Sequence, residues 1–136
     1  MLFRSAGVLR LGKQAVISHW FVPQEMLPAP GQGILAVQCR SADPETLRLL
    51  APLDDQQSRV EAAAERAFLN ELDAGCNTPV AAVAKSEGSK VIFHGRCLSI
   101  DGKTSIELNS EAPREDADDL GRRMADEARR RGFDAL

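Results

Sequence analysis

A small α+β domain, with helices against one face of an antiparallel sheet, is the fold class that residues 54–136 predict; residues 1–53 before it do not complete a domain by themselves. Three observations predict it. Amphipathic runs at 55–72 and after Pro113 enclose three short strand-like runs, so the order is helix, three strands, helix. Asp101-Gly102 separates the second and third of these runs and reads as a two-residue hairpin, which makes them antiparallel neighbours. Along the middle run Val91, Phe93, Gly95 and Cys97 alternate with Ile92, His94, Arg96 and Leu98, so one side packs against helices.

Residues 6–11 form a short helical run ended by Gly12, and residues 13–17 lead into His19-Trp20-Phe21-Val22. This opening has neither a cap nor a preceding strand, which predicts that residue 1 is an internal position of a longer protein and that residues 1–5 are a scar of cloning or assembly. Then Met26-Leu27-Pro28-Ala29-Pro30-Gly31-Gln32-Gly33 crowds two prolines and two glycines together, which forbids a regular helix or central strand. Such glycines mark plain turns, and they also let backbone approach a ligand and leave N–H groups free for an anion. Residues 34–38 are an apolar run of strand length, and Asp43-Pro44 caps and starts a helix to about Leu50.

The strongest helical pattern is Val60, Ala64, Ala67, Phe68 and Leu72, after the capping candidates Asp54 and Asp55, with Gly75 as a left-handed terminator. Strands are expected at 80–85, 90–100 and 103–109. The last helix runs to about Arg131 with Ala117, Leu120, Met124 and Ala128 on one stripe and Gly132 as its stop. Arg129, Arg130 and Arg131 read as a solvated end matched to the helix dipole, with an anion patch as the other reading.

Composition narrows the function. The chain has 136 residues, 43% apolar and 27% charged, with 17 Lys plus Arg against 20 Asp plus Glu. The mild acidity lacks the footprint of a nucleic-acid binder, so an anion site would need a few placed arginines. With five Phe, one Trp and no Tyr, the core must be aliphatic and Ala-rich. Charged residues interrupt every apolar stretch well short of the roughly 18 residues of a membrane span, and no secretory signal is recognisable, so the cytoplasm is the expected location. Cys39, Cys76 and Cys97 are too few and too far apart for a disulfide framework or a zinc site, and no metal is expected.

Cys76 stands apart from the other two because it lies in a Gly-bounded loop, Leu72-Asp73-Ala74-Gly75-Cys76-Asn77-Thr78-Pro79, open to a bulky adduct. Asp73 disfavours its thiolate and no lysine or arginine is near in sequence, so the setting suits a permanent thioether anchor better than a nucleophile that turns over. His19 and His94 have no partner at ligand spacing and read as structural. Asp54-Asp55 and Asp118-Asp119 read as helix-start charges.

The run from Met26 to Arg40, then Glu65-Arg66-Ala67-Phe68-Leu69 and Gly75-Cys76-Asn77-Thr78-Pro79-Val80, resembles the C-terminal half of the porphobilinogen deaminase (hydroxymethylbilane synthase) family; residues 6–12 resemble part of its second domain. The resemblance implies residues 1–33 as the end of domain 2, residues 34–53 as a strand and helix returning to domain 1, and residues 54–136 as domain 3. The segment before domain 3 would then be an incomplete α/β, periplasmic-binding-protein-like piece. It further implies a dipyrromethane cofactor held covalently by Cys76, with Arg10, Gly7, Gln32 and Gly33 facing the cleft that binds it. The whole enzyme would condense four porphobilinogen units onto that cofactor with loss of ammonia, as a monomer without nucleic-acid or membrane partners.

The family's catalytic aspartate lies in a part not matched here, so no catalytic residue is assigned and these 136 residues alone are expected to be inactive. Ile34, Leu35, Val37, Leu47 and Leu50 should then leave apolar surface exposed. The plainer readings are Arg10 solvating a helix face, Gln32 capping a turn and Cys76 as an idle thiol. The rival function is a stand-alone α+β ligand-sensing or interaction module.

Overall fold

The computed structural model describes residues 5–23, 25–75 and 78–135. Helix α1 (Ser5–Arg10) and helix α2 (Pro44–Leu50) precede the predicted α+β unit, which consists of α3 (Gln56–Glu71), strands β1 (Val80–Glu87), β2 (Lys90–Leu98) and β3 (Ser105–Pro113), and α4 (Ala117–Arg130). The sheet is an antiparallel meander in the order β1-β2-β3. Val91, Phe93 and Cys97 of β2 are fully buried beneath the helices, and the alternate residues Ile92, His94 and Arg96 face outward. The core joins Phe68 of α3, Phe93 and Leu108 of the sheet and Leu120 of α4, with the Phe68 and Phe93 rings edge to face at 5.2 Å.

Each long helix begins and ends for a local reason. Asp55 has extended backbone and its carboxylate accepts the Ser58 N–H at 2.7 Å, which caps α3 and holds the Asp55 carboxyl below its ordinary value. At the other end the Asp73 N–H donates to Asn70 O and the Ala74 N–H to Leu69 O, the paired bonds of a Schellman motif. The left-handed residue in that motif is Asp73, with φ 50°, and not the expected Gly75. Aspartate tolerates this conformation because its side chain is short and polar, so the chain turns two residues earlier than the glycine suggested.

Helix α4 lies close against α3 because it carries Gly121. A Cβ at that position would fall 2.2 Å from the Ala64 carbonyl oxygen, 2.8 Å from the Ala67 Cβ and 2.9 Å from the Phe68 nitrogen. The terminal arginines are mostly ion-paired: Arg130 and Arg131 each hold Glu127 at 2.6 Å, and Arg131 also donates to the Glu107 carbonyl. The dipole-matched reading of this helix end therefore fits them better than an anion patch. His19 and His94 sit 3.1 Å from Glu25 and Glu107, respectively.

Two expectations are corrected. Residues 34–38 form no strand: they run irregularly with no ladder partner among the described residues, leaving Leu35 94% and Val37 65% exposed. An apolar run of strand length becomes a strand only when another strand takes its N–H and C=O groups. The β2–β3 connection is also longer than two residues. Ser99 N–H donates to Thr104 O and Gly102 N–H to Ser99 O, while the Asp101 carboxylate accepts both the Ser99 hydroxyl and the Lys103 N–H. The two-residue turn lies instead between β1 and β2, at Gly88-Ser89, where Glu87 pairs with Lys90 and Gly88 supplies a positive φ of 58°.

Candidate functional site

The sequence Pro30-Gly31-Gln32-Gly33 folds as two successive turns. Gln32 N–H donates to Ala29 O and Ile34 N–H to Gly31 O, with Gly31 (φ 76°) and Gly33 (φ 92°) at the third position of each turn. That is the type II pattern, proline first and glycine second in the earlier turn, and it requires a residue without Cβ strain at both left-handed positions. Gln32 is left at the exposed corner between the two turns. The Gly33 N–H has no partner among the described residues, and a Cβ on either glycine would meet nothing within 4 Å. The loop therefore presents a carboxamide and a backbone donor to open space.

The loop is fastened to the sheet domain along the free edge of β1. The N–H groups of Ala82, Ala84 and Ser86, which point away from β2, are taken in turn by the Pro28 carbonyl (3.0 Å), Glu65 Oε1 (2.8 Å) and Glu61 Oε1 (2.9 Å). No edge donor among these three is left open for another strand to pair with. Glu65 also accepts the Gly31 N–H through Oε2 at 2.6 Å, so one carboxylate spans from the first turn of the loop to the strand. Leu27 is buried beside this junction.

Glu65 is only 5% exposed. Burial pushes its carboxyl above the ordinary glutamate value, with Glu61 acting in the same direction, against the lowering effect of the Ala84 and Gly31 N–H bonds and of Lys85. The sequence reading used Glu65 only as part of a motif and gave it no structural part. A usable signal was present: an acid three residues before the core residue Phe68 lies at the rim of the apolar stripe, where a carboxylate has to find donors.

Arg10 and Gly7 stand exposed on α1, which closes in its own Schellman motif with Gly12 at φ 64°. Among the described residues no hydrogen bond or ion pair links α1 to the glycine loop or to the sheet domain. Gln32 and Gly33 are thus brought to the sheet domain, and Arg10 and Gly7 are not. Cys76 lies outside the described residues. Its flanks are described: Gly75 N–H donates to the Thr78 hydroxyl at 3.1 Å and Thr78 N–H to the Gly75 carbonyl at 3.0 Å. Gly75 has open space where a Cβ would be.

Comparison with protein-family models matches residues 59–130 to "Porphobilinogen deaminase, C-terminal domain" and residues 1–48 to "Porphobilinogen deaminase, dipyromethane cofactor binding domain". The chain belongs to the porphobilinogen deaminase family. Among curated relatives, the porphobilinogen deaminase of Roseiflexus castenholzii is 40% identical over 136 residues, covering 100% of this chain and 45% of that protein. The enzyme of Roseiflexus sp. strain RS-1 is also 40% identical over the same span and coverage. That of Syntrophomonas wolfei is 38% identical over 125 residues, covering 92% of this chain and 41% of the relative. The chain thus spans less than half the length of these porphobilinogen deaminases. No helix among the described residues is long and apolar enough to cross a membrane.

Proposed function

We propose that this chain is the C-terminal part of a hydroxymethylbilane synthase, with Cys76 carrying the dipyrromethane cofactor through a thioether. In this reading residues 1–33 end the second domain, residues 34–53 return to the first, and residues 54–136 are the third. The whole enzyme condenses four porphobilinogen units, with loss of ammonia, to hydroxymethylbilane in tetrapyrrole synthesis in the cytoplasm. It acts as a monomer and needs no nucleic-acid or membrane partner. These 136 residues by themselves are inactive.

The observation that carries the reading is that two loops hang from one strand. Strand β1 starts two residues after Thr78, at the end of the loop that contains Cys76, and its third residue, Ala82, is hydrogen-bonded to Pro28 at the root of the glycine loop. The chemistry of the donors fits the group. A dipyrromethane carries acetate and propionate arms, which call for cations and N–H donors; the Gln32 carboxamide, the free Gly33 N–H and the Arg10 guanidinium are of that kind, and Gly7 adds a backbone contact. When bound, the cofactor supplies a free pyrrole end to which new units are joined.

The chain's own residues do simpler work. Cys76 holds the group in place, Gln32 and Gly33 bind and orient carboxylates, and Arg10 offsets their charge. Leu27 is buried at the root of the loop, next in sequence to Pro28, whose carbonyl accepts the Ala82 N–H.

Intact-mass measurement of the full-length protein tests the reading. The wild type is expected to carry a dipyrromethane-sized addition that Cys76→Ser removes. An addition that survives Cys76→Ser overturns it.

A further inference from the structure

The glycine loop and β1 are far apart in sequence, and one side chain joins them. Gly31 lies 34 residues before Glu65 and Ala84 lies 19 residues after it, yet both N–H groups converge on its two oxygens at 2.6 Å and 2.8 Å. Glu61, one helical turn earlier, accepts the Ser86 N–H and approaches Lys85 at 3.7 Å but makes no bond to the loop. The two acids therefore do different things, although both serve the same strand edge.

We infer that Glu65 is a positioning residue that latches the Gly31-Gln32-Gly33 turns to the sheet domain, so that the exposed Gln32 and Gly33 donors keep a fixed place relative to β1, the strand that follows Cys76 in sequence. The inference deepens the reading under Proposed function and rests on it for the purpose of the latch, but the latch itself is a contact within this chain. Pro28 fixes the root of the loop through one bond at Ala82. Without Glu65 the turns beyond Pro28 would have no tether to the domain among the hydrogen bonds of the described residues. The carboxylate suits the task because both of its oxygens are acceptors and neither presents a hydrogen to the two N–H groups.

Amide hydrogen exchange on this chain, resolved residue by residue, tests the latch. In Glu65→Ala the Gly31 amide is expected to exchange about tenfold faster or more than in wild type, since a part-buried charge-assisted bond is lost. In Glu61→Ala it should stay within about twofold, since no bond to the loop is removed. The Phe93 and Leu108 amides report whether the core remains folded. Should Glu65→Ala fail to fold, Glu65→Gln serves: a carboxamide has one acceptor oxygen for two N–H groups, so protection must fall at Gly31 or at Ala84, and either loss opens the clamp.

Unchanged exchange at both amides in a folded Glu65 variant overturns the inference, as does an equal rise at Gly31 in Glu61→Ala. Loss of core protection in both Glu65 variants also overturns it, since Glu65 would then be a general support of the fold. The covalent mass on Cys76 is a separate readout that Glu65 does not touch, so a failed latch and a failed cofactor assignment can be told apart.

Discussion

Replacing Gly121 by alanine sets two opposing effects against each other at a site where the geometry decides between them. Alanine in a helix interior gains about 0.5–1 kcal/mol over glycine through chain entropy. Against this, the new Cβ would sit 2.2 Å from the Ala64 carbonyl oxygen and under 3 Å from both the Ala67 Cβ and the Phe68 nitrogen. Two of these three atoms are backbone and none is the movable end of a long side chain, so relief requires α4 to shift away from α3 by about an ångström. Overpacking of this kind costs about 1–3 kcal/mol, and a shift between the helices also loosens Leu120 and Phe68 in the core.

The 2.2 Å approach to a backbone oxygen puts the cost at the upper end of that range, so after the helix-propensity gain is subtracted the expected net loss for Gly121→Ala is about 2 kcal/mol, a large part of the stability of a domain of this size. Urea unfolding followed by circular dichroism should show the midpoint lowered by about 1 M or more with little change in slope. Gly7→Ala is the control for a glycine without close neighbours: a Cβ there meets nothing within 4 Å and α1 has no hydrogen bond or ion pair to the sheet domain among the described residues, so the midpoint should stay where it is. An equal or higher midpoint for Gly121→Ala would refute the close approach of α3 and α4.

Removing the α3 cap with Asp55→Ala should lower the midpoint in the same urea assay. The Asp55 carboxyl is held below its ordinary value by the Ser58 N–H and hydroxyl, and Asp43 is held down in the same way by Thr46. These caps are therefore complete above the ordinary aspartate range and are lost as the pH falls through the lowered folded values, so acid titration of stability should show a smaller loss in Asp55→Ala than in wild type. Burial, with a smaller push from Glu107, raises the Cys97 thiol to about 11, and its side chain is fully enclosed. Alkylation at pH 8 should label Cys39, which is partly exposed, well before Cys97, and mass spectrometry of timed digests reads the order.

What could be read from residue order was what local chemistry fixes. Helices α3 and α4 followed from their apolar stripes, and α2 from Asp43-Pro44, whose carboxylate accepts the Thr46 N–H at 3.0 Å. The turn pattern of Pro30-Gly31-Gln32-Gly33 was likewise local. The expected two-residue hairpin at Asp101-Gly102 failed because Ser99 and Asp101 supply side-chain acceptors that stabilise a longer loop. Gly88-Ser89 is the two-residue turn, and its glycine followed by a small polar residue is a local hairpin signal in the sequence.

The long-range part of the site was hidden for a different reason. Nothing near Glu65 in sequence indicates that its partners are Gly31 and Ala84, because that contact exists only once β1 has paired with β2 and the loop has folded back on the strand edge. Residues 34–38 mislead in the opposite direction: their apolar pattern suits a strand, and a strand's partner is not a local property. Leu35, Val37 and Leu47 are exposed as expected, while Ile34 and Leu50 are half-buried.

Trypsin cuts after Arg66 and Lys85, so the peptide of residues 67–85 contains Cys76 as its sole cysteine. Mapping that peptide from the full-length protein by mass spectrometry addresses the tether directly. The dipyrromethane mass is expected on this peptide and on neither the Cys39 nor the Cys97 peptide. An unmodified 67–85 peptide from a protein that still makes hydroxymethylbilane would contradict it.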